Sequence, residues 1–250
     1  MSTTALFFTL IFVAFAILLS FWQRIGLEKD IMIGTIRAAV QLIAVGYVLQ
    51  FIFQLKSWSL IILMLAIMIT VATLNARKKG KGLPGVSWRI AVAITSTEIL
   101  TMGLLVGLKI IQTTPQYIIP ISGMIIGNGM VVSGLFFNRL KSEMETRREE
   151  INVYLALGAT SKQAVSSVMQ NTVKASMLPT IDGMKTVGLV QLPGMMTGMI
   201  VAGANPIVAV RYQILIMYSF TSAAAITAIL LGILTHRLLF TKAHQLIDHL

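Results

Sequence analysis

The chain has 250 residues, of which 56% are apolar or aromatic and only 12% are charged. A soluble domain carries about 25% charged residues, and a globule of this length could not hide so much apolar surface, so a bilayer is the expected solvent. The net charge of +11 sits in short basic runs between apolar stretches, a pattern of membrane topology rather than of a nucleic-acid partner. The absence of cysteine excludes disulfides, thiolate-bound metals and thiol catalysis. The histidines, His236, His244 and His249, are confined to the C-terminal end, so no histidine cage is expected inside the membrane.

A spanning helix needs about 20 mostly apolar residues. In chain order the sequence predicts Ala5–Trp22, Ile31–Phe53, Ser59–Asn75, Ile90–Ile111, Gln116–Asn138, Thr186–Gly203 and Ile214–Leu234. The expected fold is therefore an all-α integral membrane protein of about seven transmembrane helices, organised as one transmembrane domain over 1–250. The first stretch has no basic start and no small-residue cleavage site before Arg24, so it is read as a retained span. The fifth and sixth are interrupted by Gly123, Gly127, Gly129, Gly134, Pro193 and Gly194.

The longest basic loop holds Arg77, Lys78, Lys79, Lys81 and Arg89, and the positive-inside rule assigns it to the cytoplasm. The N-terminus is then outside and the C-terminus inside. Arg24, Lys29, Arg139, Lys141, Arg147, Arg148, Lys162, Lys174, Arg237 and Lys242 join the cytoplasmic side. Only Lys56, Lys109 and Arg211 fall outside, with Arg37 and Lys185 near or within spans.

One sizeable soluble segment is expected, from Arg139 to about Lys185 on the cytoplasmic side. Its opening run, Arg-Leu-Lys-Ser-Glu-Met-Glu-Thr-Arg-Arg-Glu-Glu, has opposite charges at helical spacing and suits an exposed stalk continuing the fifth span. Further along, Leu157-Gly158-Ala159-Thr160-Ser161-Lys162-Gln163 predicts a helix ending at Gly158, a sharp turn, and a short helix capped by Thr160 or Ser161. Such an element, docked into a partner's cleft, would convert partner motion into helix motion.

The chain contains no G-x-x-x-x-G-K-[ST], H-E-x-x-H or G-x-S-x-G, so it has no P-loop of its own, and no cofactor is expected on it. Ser96 and Glu98 share a span without a buried histidine or lysine to serve them. The chain reads as a conduit or scaffold, not as a catalyst.

The Leu-Gly-Ala-Thr-Ser-x-Gln string resembles the cytoplasmic coupling loop of ABC-transporter permeases, although Asn152-Val153-Tyr154 replaces the usual Glu-Ala-Ala before it. Three more strings agree: Leu27–Ile31 leading into Arg37-Ala38-Ala39-Val40-Gln41-Leu42, Pro120–Asn128, and Lys185–Gly198. Together they resemble the FetB family of ABC permeases over nearly the full length. That resemblance implies export of iron or a related metal, with plant relatives associated with aluminium tolerance. It implies a homodimer of permease chains in the inner (cytoplasmic) membrane, working with two separate ATPase chains that bind the ATP and Mg.

Several residues are weighed for a transport role. Arg37 and Gln41 share one helix face and either line the path or lock helices together. Glu98 is the one acidic residue deep in a predicted span, either an oxygen ligand for a cation or a hydrogen-bonded structural carboxyl. Asn128, between two glycines, is either packing glue or a path residue. Asp182 and Lys185 form a pair at the membrane face or part of a gate. The stretch with Pro193, Gly194, Met195, Met196 and Met199 is either a broken helix at a gate, with soft thioether ligands that suit Cu(I) better than Fe(II), or a kinked helix with adaptable packing. Two rival readings stand beside the ABC permease: a gradient-driven secondary transporter using Glu98, and a non-transporting scaffold that signals through the Gly158 turn. An intramembrane enzyme comes after both.

Overall fold

A computed structural model describes residues 8–55, 57–241 and 245–246. The start of the first predicted span at Ala5, and Lys56, Lys242, His244 and His249, lie outside the described residues. The chain divides into two compact units, Met1–Ser57 and Trp58–Leu250.

The first unit contains α1 (Leu10–Trp22) and α2 (Glu28–Leu55). The turn between them closes in a left-handed residue, Arg24 (φ 53°), with Ile25 N–H donating to the Ser20 carbonyl at 3.0 Å. The Ser20 hydroxyl donates to Glu28 Oε1 at 2.7 Å and accepts from Leu27 N–H at 3.1 Å. Glu28 and Asp30 sit in the first turn of α2, where negative charge offsets the helix dipole. Most of the α2 surface is apolar and exposed.

The second unit contains α3 (Trp58–Ala76), extended by a 3-10 turn at Arg77–Gly80, then α4 (Val86–Gly107) and α5 (Pro115–Thr146). These are followed by α6 (Arg148–Ala156), α7 (Ser161–Ala164), α8 (Ser166–Thr186), α9 (Gly194–Val201) and α10 (Pro206–Thr235), with a second 3-10 turn at His236–Leu239. Helix α5 is the hub, packing on α3, α4, α8 and α10. Close approach is possible because a Cβ on Gly129 would lie 3.5 Å from both Ile94 Cγ1 and Thr227 Oγ1. Thr97 of α4 and Thr227 of α10 share a buried hydrogen bond of 2.9 Å. The core runs through Ile90, Ile94, Phe136, Leu140 and Leu231, all at most 1% exposed. Arg89 closes one end of the bundle, donating from Nε to the Leu234 carbonyl at 2.8 Å and from Nη1 to the Gly85 carbonyl at 3.0 Å. That end carries the basic loop, Arg77 to Arg89.

The protein is an all-α membrane protein. Among the described residues, five helical segments are long and apolar enough to cross a bilayer, beside the shorter apolar α1. One predicted span is corrected. Thr186–Gly203 is not a helix: α8 ends at Thr186, a turn follows, and only Gly194–Val201 is helical. Eight residues rise about 12 Å, far short of the roughly 30 Å hydrocarbon core. The cause is local. Gly188 adopts φ 84° and donates to the Gln191 carbonyl at 3.0 Å, and Pro193 caps α9 with extended backbone.

Helix α8 fills the gap in the bundle. It runs antiparallel to α10, with Val173 beside Gly232 at one end and Thr221 Oγ1 donating to Met184 Sδ at 3.3 Å toward the other. Its 21 residues extend about 31 Å. The 139–185 segment expected as soluble is thus divided: its second half, with Val168, Thr172 and Ser176 buried, packs along the spans. Lys174, counted with the cytoplasmic charges, lies on this helix with its side chain exposed.

Candidate functional site

Two regions hold the residues singled out in the sequence. The first is the turn at the basic end. Helix α5 has 32 residues, about 48 Å, so it outruns any hydrocarbon core. Its last turns are held by ion pairs: Arg139 with Glu143, and Arg147 Nε with Glu143 at 3.0 Å. Arg147 also reaches Glu150 at 3.6 Å, spanning the break between α5 and α6. Helix α6 ends in a Schellman motif. Ala159 N–H donates to the Tyr154 carbonyl and Gly158 N–H to the Leu155 carbonyl, both at 3.0 Å. This closure needs a left-handed residue, and Gly158 supplies it with φ 87°.

Thr160 then starts α7 with a capping box. Gln163 N–H donates to Thr160 Oγ1 at 3.4 Å, and Thr160 N–H donates to Gln163 Oε1 at 2.9 Å. The two reciprocal bonds satisfy helix-start donors that would otherwise be orphaned. Of the two caps the sequence allowed, Thr160 is the one used; Ser161 is the first residue of α7.

The element has two faces. Ile151, Ala164, Val165 and Val168 are buried in one core with Leu140 of α5, Leu231 of α10 and Leu239. Val153, Tyr154 and Leu157 face outward, and Leu157 is 79% exposed. Force on the outer face would therefore reach α5, α8 and α10 through packed side chains. Ala159 is half-buried and Gly158, Thr160 and Gln163 are exposed.

The second region lies toward the other end, where the sixth predicted span breaks. A cavity of about 540 Å³ opens between the end of α8, the 187–193 turn, α9 and the first half of α10. Its lining includes Met184, Pro193, Met196, Gln213, Met217 and Tyr218. Gln213 is 6% exposed, and its Oε1 has no hydrogen-bond partner among the described residues. Pro193 and Met196 line the cavity, while Gly194, Met195 and Met199 sit on α9 outside the lining.

The remaining candidates are dispersed. Glu98 is 5% exposed on α4 beside Ser122 of α5, with no well-formed hydrogen bond to either carboxyl oxygen among the described residues. It is absent from the cavity lining. Asn128 joins three helices: its Nδ2 donates to the Phe220 carbonyl at 3.0 Å, and Thr180 Oγ1 donates to its Oδ1 at 3.4 Å. These bonds tie α5 to α8 and α10. Asp182 and Lys185 pair at 3.1 Å on exposed surface. Arg37 and Gln41 are exposed on α2. Among the described residues no three His, Cys, Asp or Glu side chains cluster as a metal site.

Sequence reasoning passed over Met184, Gln213, Met217 and Tyr218. The one signal available for them was Gln213, a polar residue within the apolar last helix.

The profile of an uncharacterised protein family, UPF0014, matches residues 3–240. The UPF0014 membrane protein YjkA of Bacillus subtilis (strain 168) is 49% identical, over 98% of each chain. The probable iron export permease protein FetB of Escherichia coli (strain K12) is 40% identical, over 95% of this chain and 92% of its own. The protein ALUMINUM SENSITIVE 3 of Arabidopsis thaliana is 37% identical, over 96% of this chain and 88% of its own. No solved structure matches. The chain belongs to the UPF0014 family of membrane proteins.

Proposed function

We propose that this UPF0014 member is the transmembrane permease subunit of an ABC transporter, exporting iron or a related metal from the cytoplasm. The observation that carries the proposal is the two-faced element at the basic end: α6, the Gly158 turn and α7, with an exposed apolar edge at Val153, Tyr154 and Leu157 and an inner face sharing a core with α5, α8 and α10. An ATPase cleft taking the outer edge would drive three long helices at once. The relative named as a probable iron export permease supports the cargo.

The chain has no P-loop, so hydrolysis belongs to a separate subunit, with ATP and Mg bound there. Two permease chains and two ATPases make the working assembly. The basic end faces the cytoplasm of the inner membrane, with the N-terminus outside, in accord with the positive-inside rule. The coupling contacts are Leu157, Gly158, Ala159, Thr160, Ser161 and Gln163. The 187–199 break, with Pro193, Gly194, Met195, Met196 and Met199, is the moving part of the path. Glu98 and Asn128 steady or line that path, and Arg37 and Gln41 serve transport from within the first unit.

The variant Gly158→Pro tests the coupling. Proline holds φ near −65°, which is incompatible with the 87° found here. The turn is lost while the spans still insert. Purified with its ATPase in liposomes, this variant is expected to hydrolyse ATP without moving metal. Wild-type flux from a correctly inserted Gly158→Pro chain contradicts the proposal.

A further inference from the structure

We infer that the cavity between α8, α9 and α10 is a binding site for a soft monovalent cation, Cu(I) or its stable analogue Ag(I). This rests on the metal-export reading for its biological meaning and names, for this cavity, a related metal in place of iron. Methionine side chains from three separate elements line the cavity: Met184 from the end of α8, Met196 from α9 and Met217 from α10, and the Met184 sulfur, which accepts from Thr221 Oγ1 at 3.3 Å, would exchange that bond for the ion. With 15 methionines in 250 residues, a chance lining of this size would hold fewer than one. Gln213, whose Oε1 is buried and has no hydrogen-bond partner among the described residues, is the polar residue of the lining and would have to turn that oxygen toward an ion to serve as a fourth ligand.

The charge balance selects the ion. No carboxylate lines the cavity. A divalent ion such as Fe(II) would shed its water there with nothing negative to replace it. A soft monovalent ion loses less hydration and gains strong bonds to thioether sulfur. Size is no obstacle, because methionine has three rotatable bonds. The short α9 that carries Met196 lies between two left-handed glycines, Gly188 (φ 84°) and Gly203 (φ 93°).

The test uses the purified full-length chain alone in detergent, in chloride- and thiol-free buffer, titrated with Ag(I). Binding is followed by calorimetry and by NMR of methionine methyls labelled with carbon-13. The expected result is one tight site, with the Met184, Met196 and Met217 methyl signals shifting first. Met184→Leu/Met196→Leu/Met217→Leu should weaken it by at least about tenfold, while Met64→Leu/Met169→Leu, neither in the cavity lining, should leave it intact. Leucine nearly conserves volume. Should the triple variant fail to fold, the methyl shifts of the wild-type chain decide. Equal loss in both variants, early shifts spread over all methionines, or tighter binding of Fe(II) under anaerobic conditions would each overturn the assignment. No ATPase and no flux enter this titration, so its failure leaves the coupling proposal standing, and failure of coupling leaves the titration unaffected.

Discussion

Gly158 and Thr160 are the residues where local chemistry speaks most directly. A glycine followed by a threonine and, three residues on, a glutamine can be read from the string alone, and the Schellman closure and the capping box form at those positions. Thr160→Ala removes one cap and should cost the short helix about 1 kcal/mol. The check is hydrogen exchange, which should quicken at 161–165 and stay unchanged in α5. Asn128 shows the opposite case, where the residue type left two roles open and only the fold shows which bonds its amide makes. Its amide serves α8 and α10 together. Asn128→Leu should therefore lower thermal stability, by about 1 kcal/mol as membrane hydrogen bonds go, with the cargo preference retained. A changed preference at wild-type stability would make Asn128 a path residue instead.

At the scale of elements, the apolar spans were legible because averaging over about 20 residues is what a lipid-facing helix demands. The two errors share one cause: hydropathy sees composition and not faces or breaks. Helix α8 is too polar on average to count as a span, yet its buried residues, Val168, Thr172 and Ser176, recur every four positions. Thr172 and Ser176 are small side chains of the kind that let helices approach closely inside membranes. Conversely, 186–203 is apolar enough to be read as a helix, but Gly188 and Pro193 break it. Its cavity was illegible for a different reason. Met184, Met196 and Met217 are scattered in sequence, and only the antiparallel course of α8 and α10 brings them together. Pro193→Ala bears on this element. With the break weakened, α9 should lengthen toward the turn and narrow the cavity, and transport should fall while ATPase docking persists. Unimpaired transport in this variant would remove the 187–199 segment from the path.

For the molecule as a whole, composition and the basic loops fix a membrane protein, and the orientation is open to a direct check. The chain has no cysteine, so single cysteines report without background. Cysteines at Ser142 and Leu157 should react only with reagent on the cytoplasmic side, and one at Leu189, which is 90% exposed, only from outside. Labelling of Ser142→Cys from outside would reverse the topology and disconnect the Gly158 turn from any cytoplasmic ATPase.

The central claim is that a separate ATPase drives metal through this chain by way of the Gly158 turn. Its most direct test is ATP-dependent movement of Fe(II), with Mn(II), Zn(II), Al(III) and Ag(I) as comparisons, in liposomes holding the purified chain and its ATPase. The account predicts flux of at least one of these ions that requires both ATP and the ATPase. Flux that proceeds without the ATPase, driven by an ion gradient alone, would contradict it.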